Sequence, residues 1–168
     1  MTAKKAEPSR KAEPSREEII RAQAMRAAKY ALEKKATELH VLDLTAITSM
    51  TDFFIVATGS SDRQVKAIAE NVIAQMRESE GVGAWRSEGW ESLQWVIIDF
   101  VDFVVHVFQP ESRRYYNIER LWADAPMVEV SEEMADEAPK GQKKKASLPG
   151  TKIKVISDFK PVTTKPHK

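Results

Sequence analysis

The stretch 93–122, LQWVIIDFVDFVVHVFQPESRRYYNIERLW, decides how this chain folds. Two apolar runs, 93–100 and 102–109, follow each other almost without a break, which is the pattern of an antiparallel hairpin. Pro110 then opens a helix, where its missing N–H costs nothing, and Pro126 limits the reach of that helix. A two-residue turn at Phe100-Val101 sets Asp99 opposite Asp102, Ile97 opposite Val104 and Trp95 opposite His106. Strand alternation places these six on one face and Val96, Ile98, Phe103 and Val105 on the other. Such a turn normally takes Gly or Asn at positive φ, and Phe100-Val101 supplies neither, so a wider turn with a shifted pairing stays open.

Opposed carboxylates repel. The corner holding Asp99 and Asp102 therefore calls for a cation: a metal ion, an internal arginine or a basic partner. Otherwise both are turn residues in water. Arg113 and Arg114 lie in the first turn of the following helix, where the dipole disfavours cations by under about 1 kcal/mol each. That mismatch points to an acceptor, with an internal carboxylate favoured over an anion from outside. Helical spacing puts Tyr115, Ile118 and Trp122 on one core-facing stripe and leaves Tyr116 as a surface candidate.

Upstream the periodicity is regular. Residues 17–38 carry Ile20, Ala24, Ala27, Ala28, Ala31 and Leu32 on one helical stripe, with acid early and lysine late. Alternation predicts a strand at 41–46, and FFIVAT at 53–58 is a short buried strand. Gly59-Ser60-Ser61 leads into a helix to residue 80 that buries Val65, Ile68, Val72, Ile73 and Met76; Ser61 with Gln64 predicts a capping box, and Gly81 suits its end. A further strand is expected near 84–87. The order α-β-β-α-β-β-β-α predicts an α/β (α+β) domain, a mixed sheet of about five strands covered by helices.

The flanks differ in composition. KAEPSR occurs twice, at 5–10 and 11–16, and reads as a disordered extension. Beyond about 131 the chain is lysine- and proline-rich, interrupted by Ile153, Val155 and Ile156, with an unforced strand at 152–157. The expected organisation is an extension at 1–16, one domain at 17–128 and a flexible tail at 129–168. Nine lysines give that tail a net charge of +3, and residues 1–16 also sum to +3, so the body carries −5 within a chain total of +1. An acidic body favours a basic protein as partner over nucleic acid, although the tail lysines could still graze RNA phosphates.

Several chemistries are excluded. With no cysteine there is no disulfide, thiolate site or thiol nucleophile. No apolar run approaches the roughly 18 residues of a membrane span. Glu7 and Glu13 argue against a transit peptide, so a cytoplasmic protein is expected. His40, His106 and His167 lack ligand spacing, and no nucleophile motif surrounds any serine. The Gly59-Ser60-Ser61 junction could cradle a phosphate, but an ordinary cap at Ser61 explains it and a P-loop lysine is missing.

Residues 17–123 resemble the ribosomal silencing factor (Iojap-like) family. The likeness rests on SMTDFFIVATGSSDRQVKAIAENV at 49–72, EG at 88–89 and WVIIDFVDFVVHVFQPESRRYYNIERLW at 95–122. The resemblance implies a translational repressor, without cofactor, that binds the large ribosomal subunit through its protein numbered fourteen and blocks subunit joining when nutrients fail. It also implies a nucleotidyltransferase-like fold, which supplies the alternative of a degenerate nucleotide-binding protein. Those enzymes hold metal on two carboxylates one residue apart on a strand; Asp99 and Asp102 are separated by two residues across a turn, so that chemistry looks lost. Where the family usually has glycine before the second aspartate, this chain has Val101. The expected partner-binding face comprises Arg86, Glu88, Trp95, Asp99, Asp102, His106, Arg113 and Tyr116, and a homodimer through a sheet edge is a second expectation.

Overall fold

The computed structural model describes residues 13–130. The first KAEPSR copy, the lysine-rich tail and the strand expected at 152–157 lie outside the described residues. The elements run α1 (Arg16–Leu32), β1 (Thr37–Asp43), β2 (Phe53–Thr58), α2 (Asp62–Glu80), β3 (Arg86–Glu88), β4 (Trp95–Asp99), β5 (Phe103–Phe108), α3 (Pro110–Tyr116), α4 (Ile118–Leu121) and β6 (Met127–Glu129). They form one six-stranded mixed sheet in the order β3-β4-β5-β2-β1-β6. The sixth strand is new. β6 pairs with β1 over only three residues, too few for alternation to reveal.

The central pair β2 and β5 is parallel, Phe53 beside Phe103 through Thr58 beside Phe108, while the other pairings are antiparallel. Both central strands are apolar on both faces, as strands covered on each side must be. Helices α1 and α2 cover one face. Four buried alanines on α1 let it pack close to the sheet, and Val65, Ile68, Ala69, Val72 and Met76 of α2 complete that core. Each buried Val, Ile or Phe contributes about 1.5–3 kcal/mol by leaving water.

Helix ends follow local chemistry. Ser15 caps α1 in a complete capping box: its Oγ accepts from the Glu18 N–H at 3.2 Å, and Glu18 Oε2 accepts from the Ser15 N–H at 2.7 Å. The end of the second KAEPSR copy is thus part of the helix start. α1 stops at Leu32, well short of residue 38, because Lys35 turns into the left-handed region at φ 62. β1 ends at Asp43, whose Oδ1 accepts from the Thr45 N–H and hydroxyl, closing a turn where a strand to residue 46 was expected. At α2 only half of the expected box forms. Ser61 Oγ accepts from the Gln64 N–H, but Gln64 Oε1 reaches the N–H of Ser60 instead of Ser61.

The hairpin register is the main correction. Trp95 lies opposite Phe108, Ile97 opposite His106 and Asp99 opposite Val104, so the turn centres on Val101-Asp102, one residue later than expected. Phe100 N–H donates to Phe103 O, Asp102 N–H to Phe100 O, and Asp99 Oδ1 accepts from the Val101 N–H at 2.7 Å. Asp99 and Asp102 are therefore not opposed. The partner positions move by two residues, an even number, so every side chain keeps its expected face. Val101 sits at φ 73, which costs a β-branched residue about 1–2 kcal/mol and accounts for glycine as the usual residue there.

Candidate functional site

The sheet face away from α1 and α2 is only half covered. Over its upper part, α3, α4 and the chain through Trp122 and Ala125 pack on Leu42, Leu44, Val56 and Phe108. Below Trp122 a groove of about 420 Å³ remains, floored by Phe54, Ile97, Val104 and His106. Met50, Trp85 and Val101 stand at its rim with exposures of 84%, 67% and 58%. Three large apolar side chains exposed around one groove form a surface that water alone does not explain. Asp99 adds a carboxylate to the same rim.

The eight expected site residues separate into three groups. Arg86, Glu88 and Asp99 gather at the groove's β3 end: Arg86 pairs with Glu88 at 3.5 Å, lies over the Trp85 ring at 5.2 Å, and neighbours Asp99 in the ladder. Trp95 and Tyr116 lie higher on the same face, their rings 4.7 Å apart, with Trp95 also stacked on Phe108 at 4.8 Å. Asp102 sits on the turn, bound to Arg16, whose guanidinium also reaches Asp52 at 3.4 Å. The chain's own Arg16 is thus the cation for Asp102, while Asp99, no longer opposed to it, lies outside that pair.

His106 and Arg113 are buried, at 6% and 7% exposure, and of the two only His106 reaches the groove, as part of its floor. Arg113 NH1 donates to Glu38 O and Thr58 Oγ1, and NH2 donates to Glu119. His40 Nδ1 lies 2.9 Å from the same Glu119 oxygen and 3.0 Å from Arg113 NH2. One nitrogen cannot serve both contacts as a hydrogen bond. The carboxylate only accepts, so His40 N–H and Arg113 both donate to it, and their mutual approach is two donors flanking one acceptor. Burial alone would raise the Glu119 carboxyl, but hydrogen bonds from His40 and Arg113 and their charges hold it down to about 2. The internal acceptor expected for the helix arginines is therefore Glu119 for Arg113, whereas Arg114 stays exposed.

The expected tyrosine stripe fails for a local reason. Asn117 takes the left-handed conformation at φ 41, ending α3 and restarting the chain as α4. The helical spacing is lost there, so Tyr115 points into water at 82% exposure while Ile118 is buried. The phosphate-cradle idea meets occupied donors. Gly59 N–H is bound to Phe108 O at 2.8 Å and Ser60 N–H to Gln64 at 2.7 Å.

His106 gives the site a pH response. Trp95 Nε1–H donates to its Nδ1 at 3.2 Å, which fixes the neutral tautomer, and Nε2 is buried without a partner. Burial holds the imidazole down to about 4, against a smaller upward pull from Glu119. In the unfolded chain it takes a proton below about 6.5. Stability is thus full above pH 7 and falls as pH drops from about 6.5 towards 4. Urea titrations should lose about 2 kcal/mol between pH 7 and pH 5, and His106→Leu should flatten the curve in that window.

Residues 17–153 match the family model described as Ribosomal silencing factor during starvation. The chain belongs to the ribosomal silencing factor family. The match continues past residue 128 into the lysine-rich tail. Ribosomal silencing factor RsfS of Halalkalibacterium halodurans is 43% identical over 98 residues, covering 58% of this chain and 83% of that protein. The maize protein Iojap, chloroplastic, is 34% identical over 109 residues, 64% of this chain and 46% of that one. A crystal structure of a Chromobacterium violaceum protein has TM-score 0.56 at 37% identity, covering 79% of this chain and 93% of that one. Membership in the ribosomal silencing factors places the chain among regulators of translation. Among the described residues no helix is long and apolar enough to cross a membrane.

Sequence reasoning missed Trp85, Met50 and Trp122 as groove residues. Trp85 carried a signal, a large aromatic beside Gly81 and Gly83 with no periodic face to bury it.

Proposed function

We propose that this chain silences translation by docking the groove on its open sheet face onto the large ribosomal subunit, and that its bulk then bars the small subunit. The partner is a basic large-subunit protein, that numbered fourteen, and no covalent chemistry is involved. The reading rests above all on Met50, Trp85 and Val101 exposed together around one apolar groove. Aromatic and aliphatic anchors ringed by polar groups are where binding energy concentrates. Asp99 on the rim and a body charge of −5 suit a basic target and would speed encounter.

The family supports the same reading, since bacterial relatives carry silencing-factor names. Of the residues expected from the sequence, Arg86, Glu88, Asp99 and Tyr116 remain as proposed contacts, joined by Trp85, Met50 and Val101. Trp95 and His106 form the aromatic support beneath them. Val101→Asp and Trp85→Ala replace exposed side chains and should leave the fold intact. Each should weaken co-sedimentation with purified large subunits at least tenfold, about 1.4 kcal/mol. Undiminished co-sedimentation of both variants would count against this face.

A further inference from the structure

The groove is uncovered within the described residues, and the chain itself supplies a segment that fits it. We propose that residues 152–159, KIKVISDF, lie in the groove of the same molecule and compete there with the ribosomal partner, an inference that rests on the docking reading above. Beyond Val130 this is the densest apolar cluster of the chain. Extended, it turns Ile153, Val155 and Phe159 to one side, which matches a floor of Phe54, Ile97 and Val104. Lys152 and Lys154 then take the solvent side, above a rim that holds the carboxylate of Asp99. The charge balance agrees, +3 beyond residue 128 against −5 on the body.

Reach is sufficient. The described chain ends at Val130, beside β6 on the sheet edge, three strands from β5, or about 15 Å across the sheet. A polar stretch of the length of 131–151 would, as a coil, span roughly 25 Å, enough to round the edge and enter from the open face. A tether of that length holds the segment at a millimolar effective concentration. Even a weak contact is then substantially occupied, and a ribosomal protein must displace it. The tail thereby sets a threshold for silencing.

The absence of cysteine makes a clean test. In the full chain, the pair Val101→Cys/Val155→Cys should form its disulfide at least fivefold faster than the control pair Glu70→Cys/Val155→Cys, since Glu70 is exposed on α2 across the sheet. Equal rates overturn the placement and leave the docking reading untouched. The full-length variant Ile153→Asp/Val155→Asp should bind large subunits at least threefold tighter. Unchanged binding overturns the competition, and weaker binding, the sign of a tail that grips RNA or the subunit directly, overturns it too. A fast Val101–Val155 cross-link combined with undiminished subunit binding by Val101→Asp would keep the tail in the groove and reject the groove as the ribosomal dock.

Discussion

Arg113→Met should cost the fold about 3–5 kcal/mol, read as a fall in the urea midpoint with an unchanged slope. The side chain is 7% exposed and its guanidinium serves Glu38 O, Thr58 Oγ1 and Glu119 together. Methionine fills much of the same volume, so the loss is electrostatic and not a cavity. It leaves a Glu119 carboxylate buried with His40 alone, and the carbonyl of Glu38 without its donor. Glu38 sits at φ 47, where β1 breaks register between Thr37 and His40, so that carbonyl has reason to need a fixed partner. Removing the charge left behind should recover part of the loss. The double variant Arg113→Met/Glu119→Gln is expected to be more stable than Arg113→Met alone. A double variant that is worse than the single one would mean that the arginine matters for packing, not for pairing. The same cluster ties β1, the end of β2 and the α3–α4 corner together, which holds Trp122 over the groove.

Much of this architecture was legible because burial imposes periodicity. The stripe of α1, the run FFIVAT and the alternation of β4 each carry a face assignment in the residues themselves. The hairpin shows how far such reasoning reaches. Alternation fixed which side chains share a face, but the turn position depended on whether Val101 would accept positive φ, a cost that local preference argues against. Tertiary packing outweighed it, with Phe100 stacked on Phe103 at 4.8 Å across the turn. The α3 stripe failed at Asn117, since one left-handed residue resets helical spacing and asparagine marks that chance only weakly.

The site was less legible than the fold. Trp95 and His106 were placed on the correct face, yet only the structure shows that they bond to each other, with His106 in the groove floor. Met50 lies in a polar loop and Trp85 ahead of a three-residue strand, so no pattern linked either to the hairpin. Arg113 illustrates the converse. Its place in the first turn of a helix called for an internal carboxylate without saying which; Glu119 lies one helical corner later and comes into range because the chain turns at Asn117.

Gly89→Ala should be the most damaging glycine-to-alanine change among the described residues, costing about 4 kcal/mol or more. Gly89 adopts φ 90, and an added Cβ would lie 1.9 Å from Trp95 O and 3.2 Å from Val96 Cα. Both neighbours are backbone at the start of β4, so neither can rotate away. Relief requires β4 to retreat, breaking the Leu93 N–H bond to Gly89 O and the pairing of Trp95 with Phe108. The other glycines of this region set the scale. Gly81, at φ 69 with open space around it, should cost about 1 kcal/mol on replacement by alanine, the conformational penalty alone. Gly83 has open space and no positive φ, so Gly83→Ala should stay within about 0.5 kcal/mol of the parent. Thermal unfolding of the three variants should therefore rank 83 above 81 above 89, with Gly89→Ala near or below the threshold for soluble expression. If it unfolds with Gly81→Ala, the close approach of the 89 turn to β4 is wrong, and so is the placement of Trp85 at the groove, because the segment from Trp85 to Trp95 is docked on the sheet through that contact and the short β3 ladder.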